Sequence, residues 1–192
     1  MRASLSAALA ALGDLVRGRG NGIRTVVVLG VVVVLLQVTL VPRIGGDGFG
    51  GTPDLVAALV VSVALLRGTL VGAVTGFSAG LLVELLAPTD TLGVLALLYL
   101  AAGAWCGRFA ESPEPPGLAV TLALVALVAA LVPVGVAVLD VLRGQEIPIG
   151  YLLGRVALPQ ALFSAIFAPL VVVPARRLLG PPRVVEPLMV PR

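Results

Sequence analysis

The feature that most constrains this chain is a series of apolar segments that recur along it with few charges between them. Of its 192 residues, 59% are hydrophobic and 12% are charged, whereas a soluble domain carries about 25% charged residues. A core of this size cannot bury so much apolar surface, so lipid must surround much of the chain. The sequence therefore predicts an integral membrane protein with a single domain.

Six apolar segments are candidates for membrane-spanning helices, since a span needs about 20 apolar residues to cross about 30 Å of hydrocarbon. The β-branched run that begins at Thr25 would suit a strand in water, but a lone strand in lipid leaves its backbone groups unpaired. We therefore expect an all-α bundle of six transmembrane helices. The expected spans are Thr25–Val41, Pro53–Leu66, 68–86, Leu92–Cys106, Leu118–Leu139 and Tyr151–Val173.

The stretch 53–86, PDLVAALVVSVALLRGTLVGAVTGFSAGLLVELL, holds three charges: Asp54, Arg67 and Glu84. A single helix would be about 50 Å long and would place Arg67 near the bilayer centre, at a cost of at least about 2.5 kcal/mol. Two helices joined at Arg67 and Gly68 avoid that cost, because glycine suits a turn. The sequence predicts this hairpin, with a short first arm that is tilted or recessed.

The arginines predict the orientation in the membrane. With both termini in the cytoplasm, ten arginines face inward, Arg43 and Arg143 lie outside, and Arg155 falls within the last span. This asymmetry agrees with the positive-inside rule. The ten are Arg2, Arg17, Arg19, Arg24, Arg67, Arg108, Arg176, Arg177, Arg183 and Arg192. The expected topology anchors among them are Arg24, Arg67, Arg108, Arg176 and Arg177.

The chain divides into three regions by composition. Residues 1–24 are interpreted as a cytoplasmic tail or as an amphipathic helix on the inner membrane surface. Residues 25–174 form the expected six-helix domain. Residues 175–192 contain several prolines and arginines and are expected to be a cytoplasmic tail.

Glycines recur every four residues in the second arm of the hairpin, at Gly68, Gly72, Gly76 and Gly80. A step of four residues keeps them on one slowly drifting stripe of a helix, where another helix backbone can approach closely. The stripe can serve packing within the bundle or docking of another protein's helix. We favour packing within the bundle for Gly72 and Gly76.

The next step of the same stripe lands on Glu84, near the outer end of its helix. An ionised carboxylate there is unfavourable in lipid and also meets the negative end of the helix dipole. The only basic residue within a span is Arg155, at a similar expected depth. We predict an intramembrane pair of Glu84 and Arg155. The alternatives are that each side chain reaches the outer surface separately, or that Glu84 takes part in proton-coupled transport.

Asp54 has a local explanation. In the sequence GTPD, Thr52 is the expected helix N-cap, Pro53 the first helical residue and Asp54 a carboxylate in the first turn. A carboxylate in that place is stabilised by the helix dipole. Helix capping by Thr52 and Asp54 is therefore the favoured interpretation.

The sequence offers little for catalysis. The chain has no histidine and no lysine, so its serines lack the usual base, and the commonest metal ligand is missing. No catalytic residue, cofactor site or metal site is predicted, and the protein is not expected to be an enzyme. The net charge of +3 does not indicate nucleic-acid binding, because the arginines lie at the ends of apolar segments.

The stretch 53–86, followed by TLGVLALLYLAAGAWCGRF, resembles the MreD family of bacterial rod shape-determining membrane proteins. The resemblance includes the Pro-Asp-Leu at 53–55, a glycine-rich helix that ends in an acidic residue, and an apolar helix that ends in Gly107 and Arg108. It extends over roughly residues 20–180 by the number and length of the spans. Glu84 departs from the family, in which aspartate is more frequent at that place.

The resemblance implies a multi-pass protein of the bacterial inner membrane that acts as a scaffold in cell-wall elongation. Its implied partners are MreC, by direct contact, and MreB, RodA and a class B penicillin-binding protein as members of the same complex, besides membrane lipid. The family is also similar in fold to the S components of energy-coupling factor vitamin transporters. A small-molecule-binding subunit of that kind is the alternative, although the few aromatic residues favour the scaffold.

Overall fold

The computed structural model of the protein describes residues 22–39, 51–87, 93–111, 116–145 and 148–180. These residues are all-helical, as predicted, and contain no strand. Expectations for the N-terminal region before residue 22 and for the tail after residue 180 lie outside the described residues. The helices in this part of the chain are α1 (Gly22–Thr39), α2 (Leu55–Arg67), α3 (Thr69–Leu86), α4 (Val94–Gly107), α5 (Leu118–Leu142) and α6 (Ile149–Leu179).

Successive helices run in opposite directions through the bundle. Arg67, at the end of α2, contacts Leu179 at the end of α6 and lies against Gly22 at the start of α1. Arg176, near the end of α6, contacts the start of α5 through Thr121. We call this side the arginine end. The first described helix therefore begins, and the last one ends, on the same side of the bundle.

Helix α2 lies at the centre of the fold. Twelve of its thirteen residues are buried, from Leu55 to Leu66, and it packs against α3, α4, α5 and α6. Leu59 also approaches Gly30 of α1. Apolar residues surround the helix on every side, so the uniform hydrophobicity of its sequence reflects burial in protein rather than contact with lipid.

Four of the helices are long and apolar enough to cross a membrane: α1, α3, α5 and α6. The other two apolar helices are shorter, at Leu55–Arg67 and Val94–Ala110, the latter including a 3-10 turn after α4. With 13 residues, α2 is about 20 Å long, less than the roughly 30 Å of a hydrocarbon core. Its first turn is buried inside the bundle, where Asp54 is 2% and Leu55 7% exposed.

Helices α5 and α6 extend furthest beyond the predicted bounds. Helix α5 continues to Leu142, past the predicted end at Leu139, and Pro133 lies within it. Helix α6 begins at Ile149, passes through a π-helical segment at Leu152–Ala157 and ends at Leu179. These extensions include Asp140 of α5 and Arg176 and Arg177 of α6, and they continue the helical backbone beyond the apolar segments.

Candidate functional site

Asp54 caps the first turn of α2. Its Oδ1 accepts a hydrogen bond of 2.8 Å from the backbone N–H of Ala57, three residues later. The helix therefore begins at Leu55, with Asp54 itself as N-cap, and the predicted capping role of Thr52 is wrong. A short carboxylate on the cap residue reaches the third N–H of the helix, so Pro53 precedes the cap instead of starting the helix.

Asp54 is also the centre of a polar cluster buried among apolar helices. Its Oδ2 accepts a 2.6 Å hydrogen bond from the hydroxyl of Tyr99 on α4. Its backbone N–H donates to Oγ of Ser164 on α6 over 2.8 Å. All three residues are at most 5% exposed. Two distant helices therefore hold the start of α2 through directed hydrogen bonds.

Gln37 of α1 completes the cluster. Its amide donates to the carbonyl oxygen of Pro53 over 3.2 Å and accepts from the N–H of Leu55 over 2.8 Å. It thus pairs backbone groups on both sides of Asp54. We call Gln37, Asp54, Tyr99 and Ser164 the Asp54 cluster. Sequence reasoning found Asp54 alone, because hydrogen-bond partners as far away as 110 residues leave no local pattern.

A cavity of about 400 Å³ adjoins the Asp54 cluster. It extends between α5 and α6, away from the arginine end, toward Asp140 near the end of α5. Gln37, Asp54 and Tyr99 line one part of it, and Gln160 lines another. The remaining wall is mostly apolar. An apolar cavity with a few convergent polar groups has the character of a small-molecule site.

Two irregular pieces of helix form a wall of this cavity. Pro133 of α5 lines it and lacks the N–H that would continue the helical hydrogen-bond pattern. Leu152 and Val156 line it from the π-helical segment of α6. Single π-helical turns occur frequently at functional sites. The cavity is therefore bounded by the least regular backbone of α5 and α6.

Glu84 caps a helix. Its Oε2 accepts a 2.8 Å hydrogen bond from the N–H of Gly93, and its Oε1 accepts a 2.6 Å bond from the N–H of Leu95. These N–H groups lie at the start of α4, where a carboxylate is stabilised by the helix dipole. Gly93 adopts a φ of 96°, a left-handed conformation that favours glycine. The carboxylate is 1% exposed and joins the end of α3 to the start of α4.

The predicted ion pair of Glu84 and Arg155 is not formed. Asp140 pairs with Arg143 at 3.8 Å, at the end of α5. Arg155 is exposed on the π-helical segment of α6. Both oxygens of Glu84 bind backbone N–H groups instead. The prediction missed these contacts because it paired the two charges by their expected depth in the membrane. It did not consider the N–H groups at the start of α4, which need acceptors outside their own helix.

Three glycines of the predicted stripe lie where α3 meets α4. A Cβ added to Gly72 would lie 2.6 Å from Cβ of Ala64 and 2.7 Å from the carbonyl oxygen of Gly103. One added to Gly76 would collide with the carbonyl oxygen of Tyr99, and one added to Gly80 would lie 2.7 Å from Cα of Ala96. The stripe is therefore used for packing within the bundle.

Gly68 does not belong to that contact. It forms the turn between α2 and α3, where its φ of 88° requires glycine, and a Cβ added there meets nothing within 4 Å. The matching small residues on α4 are Ala96, Gly103 and Gly107, which contact α3 backbone. Their spacing of seven and four residues is the signal that could have revealed the second face.

Two predicted topology anchors also make specific contacts. Arg67 donates to the carbonyl oxygen of Leu179 over 3.0 Å, so it closes the last turn of α6. Arg176 donates to Oγ1 of Thr121 over 2.7 Å and to the carbonyl oxygen of Pro116 over 3.2 Å. The other three anchors are exposed: Arg24, Arg108 and Arg177.

Comparison of the chain with protein-family models, with curated proteins and with solved structures found no match.

Proposed function

We propose that this protein is a non-enzymatic scaffold of the bacterial cell-wall elongation complex. It binds MreC directly and supports side-wall peptidoglycan synthesis and rod shape from the inner membrane. MreB, RodA and a class B penicillin-binding protein are members of the same assembly. The proposal starts from the resemblance of 53–86 and the following apolar helix to the MreD family. The arginine end then faces the cytoplasm, in agreement with the positive-inside rule.

The observation that carries the scaffold proposal is the internal use of the buried polar groups. Both carboxylate oxygens of Asp54 accept hydrogen bonds from the protein's own groups, and so do both oxygens of Glu84. Satisfied buried networks of this kind rigidify a fold. All four oxygens of the two acids are therefore occupied by structural hydrogen bonds, and neither acid is free to transfer a proton or to act in catalysis. A rigid bundle with lipid-facing apolar surfaces is what a membrane scaffold requires.

The docking surface for MreC is an outer face of the bundle. Helix α4 covers Gly72, Gly76 and Gly80, so the glycine stripe is not accessible to a partner helix. Bulky apolar side chains are exposed on the outer sides of the helices, among them Val28 of α1, Leu131 of α5 and Leu170 of α6. A transmembrane segment of MreC packs on such a face through van der Waals contact.

Affinity purification from native membranes tests the proposal. The tagged protein is expected to enrich MreC and the wall-synthesis enzymes over an unrelated membrane protein with the same tag, as counted by mass spectrometry. Glu84→Ala, when it stays folded, is expected to retain MreC because its side chain faces the inside of the bundle. Failure of the wild type to enrich MreC would overturn the scaffold proposal.

A second candidate function is small-molecule binding, as in the S component of a vitamin transporter. The cavity of about 400 Å³ beside the Asp54 cluster favours it. Tyr99 offers an aromatic ring there, and Gln37 and Gln160 offer amides. Mass spectrometry of a denatured extract of the purified protein tests this candidate. A stoichiometric small molecule, together with a co-purified ATPase module, would replace the scaffold proposal with this one.

A further inference from the structure

A second cavity is a groove between α1 and α3. Its volume is about 440 Å³. We call it the α1–α3 groove. Its smaller lining residues are Gly22 and Gly30 of α1 and Thr75, Ser78 and Ala79 of α3. Larger apolar side chains flank them, including Val26 and the exposed Val27, Leu70 and Val74.

The groove follows the direction in which the helices cross the bundle. Helices α1 and α3 both start at the arginine end and run away from it in parallel. Lining residues recur along α1 from Gly22 to Val31 and along α3 from Leu70 to Leu82. Twelve residue steps on α3 correspond to about 18 Å. An acyl chain of a membrane lipid extends in the same direction.

Apart from Arg67, most of the residues that line the groove are apolar. The hydroxyl of Ser78 donates to the carbonyl oxygen of Val74 over 2.6 Å, within its own helix. The other lining residues named above are apolar, apart from Thr75. An apolar chain can fill this space without leaving the Ser78 hydroxyl unpaired.

Among the described residues that line the groove, Arg67 is the cationic one, and it lies at the arginine end. Arg67 lines the groove, and two nitrogens of its guanidinium lie 3.0 Å from the place that a Cβ on Gly22 would occupy. The hydrogen bond to Leu179 fixes this position. A guanidinium carries five N–H donors and binds phosphate oxygens in a bidentate manner.

We infer that the α1–α3 groove binds one anionic phospholipid, with an acyl chain along α1 and α3 and the phosphate at Arg67. The guanidinium of Arg67 at one end matches the phosphate of the lipid, and the apolar channel that leads from it matches an acyl chain. The inference goes beyond the scaffold proposal and does not depend on it.

Native mass spectrometry of the full-length protein tests the inference. The protein is equilibrated in mixed detergent micelles with equal amounts of phosphatidylglycerol and phosphatidylcholine of identical acyl chains. One phosphatidylglycerol is expected to stay bound, with a preference of about tenfold, which corresponds to about 1.4 kcal/mol. Equal retention of the two lipids by the wild type would overturn the inference.

Variants separate the acyl channel from the headgroup contact. Ser78→Trp fills the groove and is expected to abolish retention, whereas Leu97→Trp places the same side chain on α4, at a position 62% exposed outside the groove. Arg67→Gln is expected to remove the preference for phosphatidylglycerol, and Arg67→Lys to keep most of it, since the positive charge remains. Circular dichroism confirms that each variant is folded before the measurement.

Two further outcomes would contradict the inference. The first is a folded Ser78→Trp protein that retains phosphatidylglycerol as well as the wild type does. The second is a polypeptide that crosslinks from a photoreactive residue at Val74 in native membranes with near-complete yield, because a protein helix would then occupy the groove. The lipid site would be established if Ser78→Trp lost bound phosphatidylglycerol, Arg67→Gln lost the preference for it, and Leu97→Trp retained it as the wild type does.

Discussion

The hydroxyl of Tyr99 donates a 2.6 Å hydrogen bond to Oδ2 of Asp54, and this contact joins the middle of α4 to the first turn of α2. The two residues are 45 positions apart in the chain. Asp54 uses its other oxygen to cap its own helix. One carboxylate therefore both starts the central helix and fixes that helix against a neighbour.

Tyr99→Phe is expected to lower the free energy of unfolding by about 1–3 kcal/mol, because Oδ2 of the buried Asp54 loses its donor. Thermal unfolding in detergent, followed by circular dichroism, measures the change. Tyr151→Phe is the matched control, since Tyr151 is 58% exposed, and its effect should stay within about 0.5 kcal/mol. Equal melting temperatures for the two variants would show that the Asp54 contact contributes little.

Ser164→Ala is expected to destabilise the protein by about 1–3 kcal/mol, because the buried N–H of Asp54 then lacks its acceptor. Ser78→Ala provides the control. Its hydroxyl is exposed and bonds back to its own helix, so its removal should change stability by less than about 0.5 kcal/mol. The same unfolding assay compares the two, and a larger effect at Ser78 would contradict the assigned hydrogen bond at Ser164.

Glu84→Ala is expected to cost about 1–3 kcal/mol, since two N–H groups at the start of α4 lose their acceptors and a favourable dipole interaction disappears. Arg155→Gln should be near neutral because Arg155 is exposed. The double variant is expected to show additive effects. A coupling energy above about 0.5 kcal/mol between the two positions would instead support the predicted ion pair of Glu84 and Arg155.

Gly76→Ala is expected to destabilise the contact of α3 and α4 by about 1–3 kcal/mol, because the added methyl group collides with the backbone of Tyr99. Gly30→Ala is the control on α1. Its Cβ would meet a single atom, of Leu59, at 3.8 Å, which is ordinary contact, and alanine favours the helix by about 1 kcal/mol. Unfolding that is unchanged in Gly76→Ala would contradict the close approach.

Composition and the spacing of charges predicted much of the architecture. Apolar segments predicted the helices, and Arg67 with Gly68 predicted the turn between α2 and α3, since burying that charge is unfavourable. The four-residue spacing of Gly72, Gly76 and Gly80 predicted a packing face, although it did not reveal that α4 covers it. The sequence also predicted six membrane spans. Among the described helices, four are long and apolar enough to cross a membrane.

The partners of the buried acids depended on the tertiary structure. Glu84 binds the backbone N–H groups of Gly93 and Leu95, and a backbone N–H is present at almost every residue, so nothing in the sequence marks those two. Tyr99, Ser164 and Gln37 likewise look like isolated polar residues within apolar segments until the helices bring them to Asp54.

The sequence by itself determined that this chain forms apolar helices with arginines toward one end, because lipid allows only structures whose backbone hydrogen bonds are satisfied internally. It also determined the turn at Gly68, where the charge of Arg67 cannot remain in hydrocarbon. Only the tertiary structure decided which helix is central, which groups satisfy Asp54 and Glu84, and where the two cavities lie. Those features depend on distances of a few ångströms between segments far apart in the chain, and such distances result from packing the whole bundle.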